Sequence, residues 1–85
     1  MTSNLRSYDE VLSILQGLWE EVLETTIEDP GQDFFQLGGD SVLALIIASR
    51  AGEAGLTLPP SGVLRRPTLH SLTEAVLDPH RFDDW

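Results

Sequence analysis

Residues 33–41 read Asp33-Phe34-Phe35-Gln36-Leu37-Gly38-Gly39-Asp40-Ser41, and the positions that follow, Val42 to Ala48, are apolar without exception. Asp and Ser side chains accept bonds from the free amides of a helix's first turn. The stretch predicts a helix that starts at Asp40 or Ser41 and runs to about Ala54, with one serine hydroxyl at its mouth. Gly55 suits the left-handed residue that closes such a helix. Ala44, Leu45 and Ala48 are expected to face the core, with either Leu43 or Ile47. Val42 and Ile46 lie four apart on a different stripe and are expected to stay exposed.

Upstream, Ser7-Tyr8-Asp9-Glu10 reads as a capping box, and Asp9 and Glu10 suit the positive end of a helix dipole. Val11, Leu15, Leu18 and Val22, flanked by Leu12, Trp19 and Leu23, form one wide apolar stripe, with Glu20, Glu21 and Glu24 on the solvent side. Gly17 inside this helix costs roughly 1 kcal/mol relative to alanine. The helix should end near Glu24 or Thr25. A long connection over 25–40 follows, with a turn at Glu28-Asp29-Pro30-Gly31 and Ile27, Phe34, Phe35 and Leu37 as its anchors in the core.

Downstream, Leu56-Thr57-Leu58-Pro59-Pro60 must be extended, because each residue before a proline is pushed out of the helical region. Ser61 to Arg66 has room for one short helical turn with Val63 and Leu64 inward. Thr68 caps a last helix whose stripe is Leu69, Leu72, Val76 and Leu77, and Asp78-Pro79 stops it. No segment alternates as a strand does. The fold class is all-α: three main helices plus one short helix, with a long first loop. The chain is expected to be a single domain over 1–85 with its core at about 8–78, a loose leader at 1–6 and a mobile tail at 79–85.

Composition narrows the function classes. Eighty-five residues with 41% hydrophobic content make one small globular domain. With no cysteine there is no disulfide or thiolate site. No apolar run approaches the ~20 residues of a membrane span, and Met1 is followed by polar residues rather than a signal core. A cytoplasmic, membrane-free monomer is the expectation. The formal charge is −9, and all five bases are arginine. Such a surface repels phosphate backbones and anionic lipid, and suits basic patches on partner proteins.

The catalytic inventory is thin. A nucleophilic serine needs a base within hydrogen-bond reach, and only His70 and His80 are present. Gly38-Gly39-Asp40-Ser41 is not the Gly-x-Ser-x-Gly of a nucleophile elbow. The glycine pair is too short for a phosphate-binding loop and has no lysine to complete one. Paired carboxylates such as Glu20-Glu21 and Asp83-Asp84 are expected on solvated surface, and no metal-ligand spacing appears. The chain is therefore not expected to be an enzyme. Ser41 looks like an attachment point that another enzyme modifies. Helix capping alone would explain Asp40-Ser41, but it gives no reason for the two glycines.

Leu37-Gly38-Gly39-Asp40-Ser41-Val42 resembles the modification-site core of peptidyl carrier proteins, the thiolation domains of nonribosomal peptide synthesis. The likeness continues in register through Ala44 and Arg50, Gly55-Leu56, Leu58-Pro59 and Pro67-Thr68-Leu69. Upstream it includes Trp19, Val22-Leu23 and Asp33-Phe34-Phe35. It covers about residues 8–78, and the ordered set is far more specific than any one piece. Val42 in place of the commoner leucine, Leu64 where phenylalanine is frequent, and Pro60 and Gly62 in the short helix are departures.

The resemblance implies an acyl-carrier-like four-helix bundle whose Ser41 receives 4'-phosphopantetheine from coenzyme A through a phosphopantetheinyl transferase. Asp40 would help hold the transferase's magnesium. The implied partners are an adenylation enzyme or domain and downstream condensation, tailoring or thioesterase enzymes. Val42 and Ile46 would form an apolar docking patch beside the modified serine. Two other readings stay open: a carrier of polyketide or fatty-acid synthesis, and a helical interaction domain that is never modified. A small hydrolase using Ser41 lacks a base. Whether the chain is freestanding or an excised domain is open too, as is the identity of the cargo.

Overall fold

The computed structural model describes residues 7–78, so the expected leader and tail lie outside the described residues. Four helices follow in order: α1 (Tyr8–Leu23), α2 (Ser41–Glu53), α3 (Gly62–Arg65) and α4 (Leu69–Leu77). Helix α1 packs against α2 and α4, and α3 packs on α2. The architecture is all-α, with no strand among the described residues. One isolated antiparallel bridge pairs Asp33 in the long loop with Thr68 before α4.

Helix boundaries are set by caps. Ser7 Oγ accepts the Glu10 amide at 3.1 Å, and the Glu10 carboxylate accepts the Ser7 amide at 3.3 Å. Thr68 forms the same reciprocal arrangement with Ser71 at the start of α4. Helix α2 ends in paired bonds, Gly55 N–H to the Gly52 carbonyl and Leu56 N–H to the Ala51 carbonyl, around Gly55 at φ 90°. Only a residue that tolerates positive φ closes a helix this way.

The core is built on Val11, Leu15 and Trp19 of α1, Phe34 of the loop, Ile47 of α2, Val63 of α3, and Leu69 and Leu72 of α4. Its centre is the edge-to-face pair of Trp19 and Phe34, with ring centroids 5.0 Å apart. Such a pair contributes about 0.5–1.5 kcal/mol beyond the area it buries. The α1 stripe is centred one position away from the expected line: Val11, Leu15 and Trp19 are buried, and Leu18 and Val22 pack at its edge.

Several expected core positions prove to be surface. On α2 the buried set is Ala44, Ile47, Ala48 and Ala51, while Leu45 is 52% exposed. The alanines allow α1 and α3 to approach closely, and steps of three and four from Ala44 turn Leu45 away. Phe35 is 48% exposed and Leu77 41% exposed, so neither anchors the core.

Glu20 also departs from expectation, since it is not simply solvated. Its carboxylate accepts the Ile27 amide at 2.8 Å, and Gln16 Nε2 donates to the Ile27 carbonyl at 3.0 Å. Both polar groups of a buried loop residue are thereby satisfied, which lets Ile27 enter the core without an orphan amide.

Candidate functional site

The loop before α2 is a compact turn rather than slack chain. The Asp33 carboxylate accepts the Phe35 amide at 2.8 Å, and the Phe34 amide donates to the Pro67 carbonyl at 2.7 Å. The Gly38 amide then bonds the Phe35 carbonyl and the Gly39 amide bonds the Phe34 carbonyl. This is the same paired closure that ends α2, and it requires Gly38 at φ 99°. Gly39 has its own reason: a Cβ there would lie 2.3 Å from the Phe34 ring. Capping gives no account of the glycine pair, but the fold does. Gly38 supplies a backbone angle, and Gly39 makes room for the aromatic core from within.

Held by this turn, Asp40 is the N-cap of α2, its Oδ1 accepting the Leu43 amide at 2.9 Å. Ser41 is the first helical residue and is exposed. Its hydroxyl makes no hydrogen bond among the described residues and takes no part in capping. It sits where the helix dipole and free first-turn amides favour a negative charge. The site can present an oxygen nucleophile to another protein's active site and accommodate a phosphodiester attached there.

Other described serines are placed differently. Ser7 and Ser71 hydroxyls are engaged in caps, and Ser13, Ser49 and Ser61 are not preceded by such a turn. His70 is exposed and tied to the Tyr8 hydroxyl at 2.7 Å. No cluster of metal-ligating side chains occurs among the described residues.

Val42 and Ile46 are exposed as expected, at 63% and 37%. Leu45, expected in the core, joins them. Steps of three and four place Val42, Leu45 and Ile46 on one face, so the apolar patch beside Ser41 is half again as populated as expected. The same face leads to an open groove between α1 and α2, lined by the apolar Leu18, Ile46 and Ala54 and by the polar Glu21, Ser49, Arg50 and Glu53. Arg50 and Glu21 form an ion pair across it.

Comparison with known proteins places these features among relatives. Residues 13–76 match the family model described as "Phosphopantetheine attachment site". The chain is 45% identical over 62 residues to a component of the phenolphthiocerol/phthiocerol polyketide synthase of Mycobacterium tuberculosis, covering 73% of this chain and 4% of that protein. It is 40% identical over 70 residues to a component of the linear gramicidin synthase of Brevibacillus parabrevis, covering 80% of this chain and 1% of that protein. Among solved structures, a "Non Ribosomal PCP domain" superposes with a TM-score of 0.69 at 32% identity, over 86% of this chain and 92% of that one. The chain thus spans a small fraction of the length of these two synthase components.

Proposed function

The chain belongs to the phosphopantetheine attachment-site family, whose members bear that group covalently, and on this premise we propose that Ser41 is the residue that bears it here. It is a carrier domain homologous to those of peptide and polyketide synthases. The observation that carries the assignment is the exposed, uncommitted Ser41 hydroxyl at the start of α2, directly after a turn whose geometry two glycines fix. Once attached, the group supplies a flexible arm ending in a thiol, on which an acyl group is held as a thioester. The chain itself has no cysteine, so the reactive sulfur is imported.

In this reading the chain is a carrier rather than a catalyst, and it acts in nonribosomal peptide synthesis. A phosphopantetheinyl transferase installs the arm from coenzyme A, and Asp40, beside Ser41, contacts its magnesium in this reading. An adenylation enzyme loads an amino acid, and condensation, tailoring or thioesterase enzymes consume it. The exposed face of Val42, Leu45 and Ile46 is the docking patch for these partners, and the chain's net charge of −9 steers basic ones. Likeness to a polyketide synthase keeps the polyketide carrier as the second reading. No helix among the described residues is long and apolar enough to cross a membrane, which fits a carrier that moves between soluble active sites.

Intact mass, measured before and after incubation with coenzyme A, magnesium and a broad-specificity transferase, tests the assignment. One phosphopantetheine increment mapped to the peptide containing Ser41 is expected. Its absence, or its mapping to another serine, overturns the proposal. ATP-dependent loading by an adenylation enzyme, rather than by an acyltransferase, then separates the peptide from the polyketide class.

A further inference from the structure

We propose that Asp33 is a positioning residue for the transfer onto Ser41: from eight residues upstream, its carboxylate sets the turn that presents the hydroxyl. This rests on Ser41 being the attachment point.

Asp33 is bonded in two directions. Toward the bundle, its backbone bridges to Thr68 ahead of α4, and the next amide, that of Phe34, donates to the Pro67 carbonyl at 2.7 Å. Toward the site, its carbonyl accepts the Leu37 amide at 3.1 Å and its carboxylate accepts the Phe35 amide at 2.8 Å. The turn then closes on itself: the Phe35 carbonyl accepts the Gly38 amide at 3.1 Å, and the Phe34 carbonyl accepts the Gly39 amide at 3.0 Å. Asp40 and Ser41 follow directly at the start of α2. In this relay the Asp33 carboxylate makes the one bond from a side chain; the others join backbone groups.

What that bond controls follows from its surroundings. Phe34 is fully buried against Trp19, so the core holds it whatever happens to the turn. The bond to the Phe35 amide is exposed, and the Phe35 side chain is itself on the surface. An amide released there passes to water rather than being orphaned. Loss of the bond therefore leaves the core in place and loosens Phe35 to Gly39. A transferase that engages Ser41 in the ordered turn then finds only a fraction of the molecules competent, and its apparent affinity falls by that fraction. Recognition is weakened and bond formation is not, so KM rises while kcat holds.

Positioning and charge are separable at this residue. Asn offers an oxygen at the same reach and bonds the backbone two residues on as Asp does. Glu keeps the charge and displaces the oxygen by one methylene.

Transfer rates over a range of carrier concentrations, with coenzyme A, magnesium and a broad-specificity transferase, test this on the original chain, D33N and D33E. A thermal melt of each accompanies the rates, which are taken below every melting range. D33N is expected to keep both KM and kcat within about twofold, and D33E to raise the KM for the carrier about threefold or more with kcat within about twofold. Hydrogen exchange at the Gly38 and Gly39 amides should quicken in D33E and not in D33N. D33A, with neither oxygen nor charge, should behave as D33E does. D33E at the original KM overturns the proposal. D33N as impaired as D33E also overturns it, by making the negative charge the contact. A D33E chain that does not fold makes Asp33 a folding residue and overturns it too. An original chain that gains no arm overturns the function proposed above together with this inference; normal transfer with unmoved variants overturns this inference alone.

Discussion

A methyl group added at Gly39 would enter the face of the Phe34 ring, and Phe34 is the partner of Trp19 at the centre of the core. The ring is fully buried and has nowhere to retreat. Overpacking of this kind costs about 1–3 kcal/mol, so Gly39→Ala should lower the thermal midpoint by roughly 4–8 °C for each kcal/mol. An unchanged melt would show that the glycine serves access to Ser41 rather than packing. Ser41 itself behaves oppositely. Asp40 supplies the capping oxygen, so Ser41→Ala removes no bond and should leave stability within about 0.5 kcal/mol. The same variant should lose the phosphopantetheine increment completely. A globally unfolded Ser41→Ala protein would mean that the hydroxyl is structural.

At the scale of the element, α1 contains a correctable defect. Gly17 is exposed, and a Cβ added there would meet no atom within 4 Å. Gly17→Ala should therefore stabilise the protein by up to about 1 kcal/mol, read as a rise in thermal midpoint; a fall would reveal a contact this packing does not contain. Helix α2 makes the complementary case. Val42→Asp, on its exposed face, should leave stability within about 0.5 kcal/mol while loading by a partner enzyme drops. A melting temperature that collapses along with loading would place Val42 in the core and refute the docking patch. Much of the fold was legible because caps are local chemistry: Ser7 with Glu10, Thr68, and Gly55 each mark a helix end in the sequence. The faces of α2 were less legible. An apolar run from Val42 to Ala48 has no periodicity to read, and the core chose small alanines over Leu45. Phe35 resembled Phe34 in everything except the direction in which the turn points it. The clamp of Gln16 and Glu20 on Ile27 was invisible because its partners are backbone atoms, which carry no sequence signal. At the candidate site, Ser41 and Asp40 were legible from residue type and position. The α1/α2 groove was not, because it joins residues from two helices whose packing only the structure supplies.

For the molecule as a whole, one link ties its first helix to its last. The Tyr8 hydroxyl on α1 meets His70 Nδ1 on α4 at 2.7 Å, and the His70 amide reaches the Pro30 carbonyl of the long loop at 3.3 Å. Desolvation, then the carboxylates of Glu74 and Asp9, raise the Tyr8 phenol above its ordinary value of 10.0. The folded state thus holds this proton more tightly than the unfolded chain does. Its contribution to stability is fully present below pH about 10 and is lost as pH rises through the higher folded value. The composition isolates the effect, because the chain has one tyrosine, no cysteine and no lysine, and arginine stays protonated throughout. Ionisation of Tyr8 also adds negative charge to a molecule already at −9, where self-repulsion opposes compaction. The urea midpoint should accordingly be flat from about pH 8.5 to 10, within the ordinary ranges of the remaining side chains, and decline above that. Tyr8→Phe should begin slightly less stable, having lost the bond to His70, and show no alkaline decline. A decline of equal size in both proteins would assign the alkaline sensitivity to something other than the joint between α1 and α4.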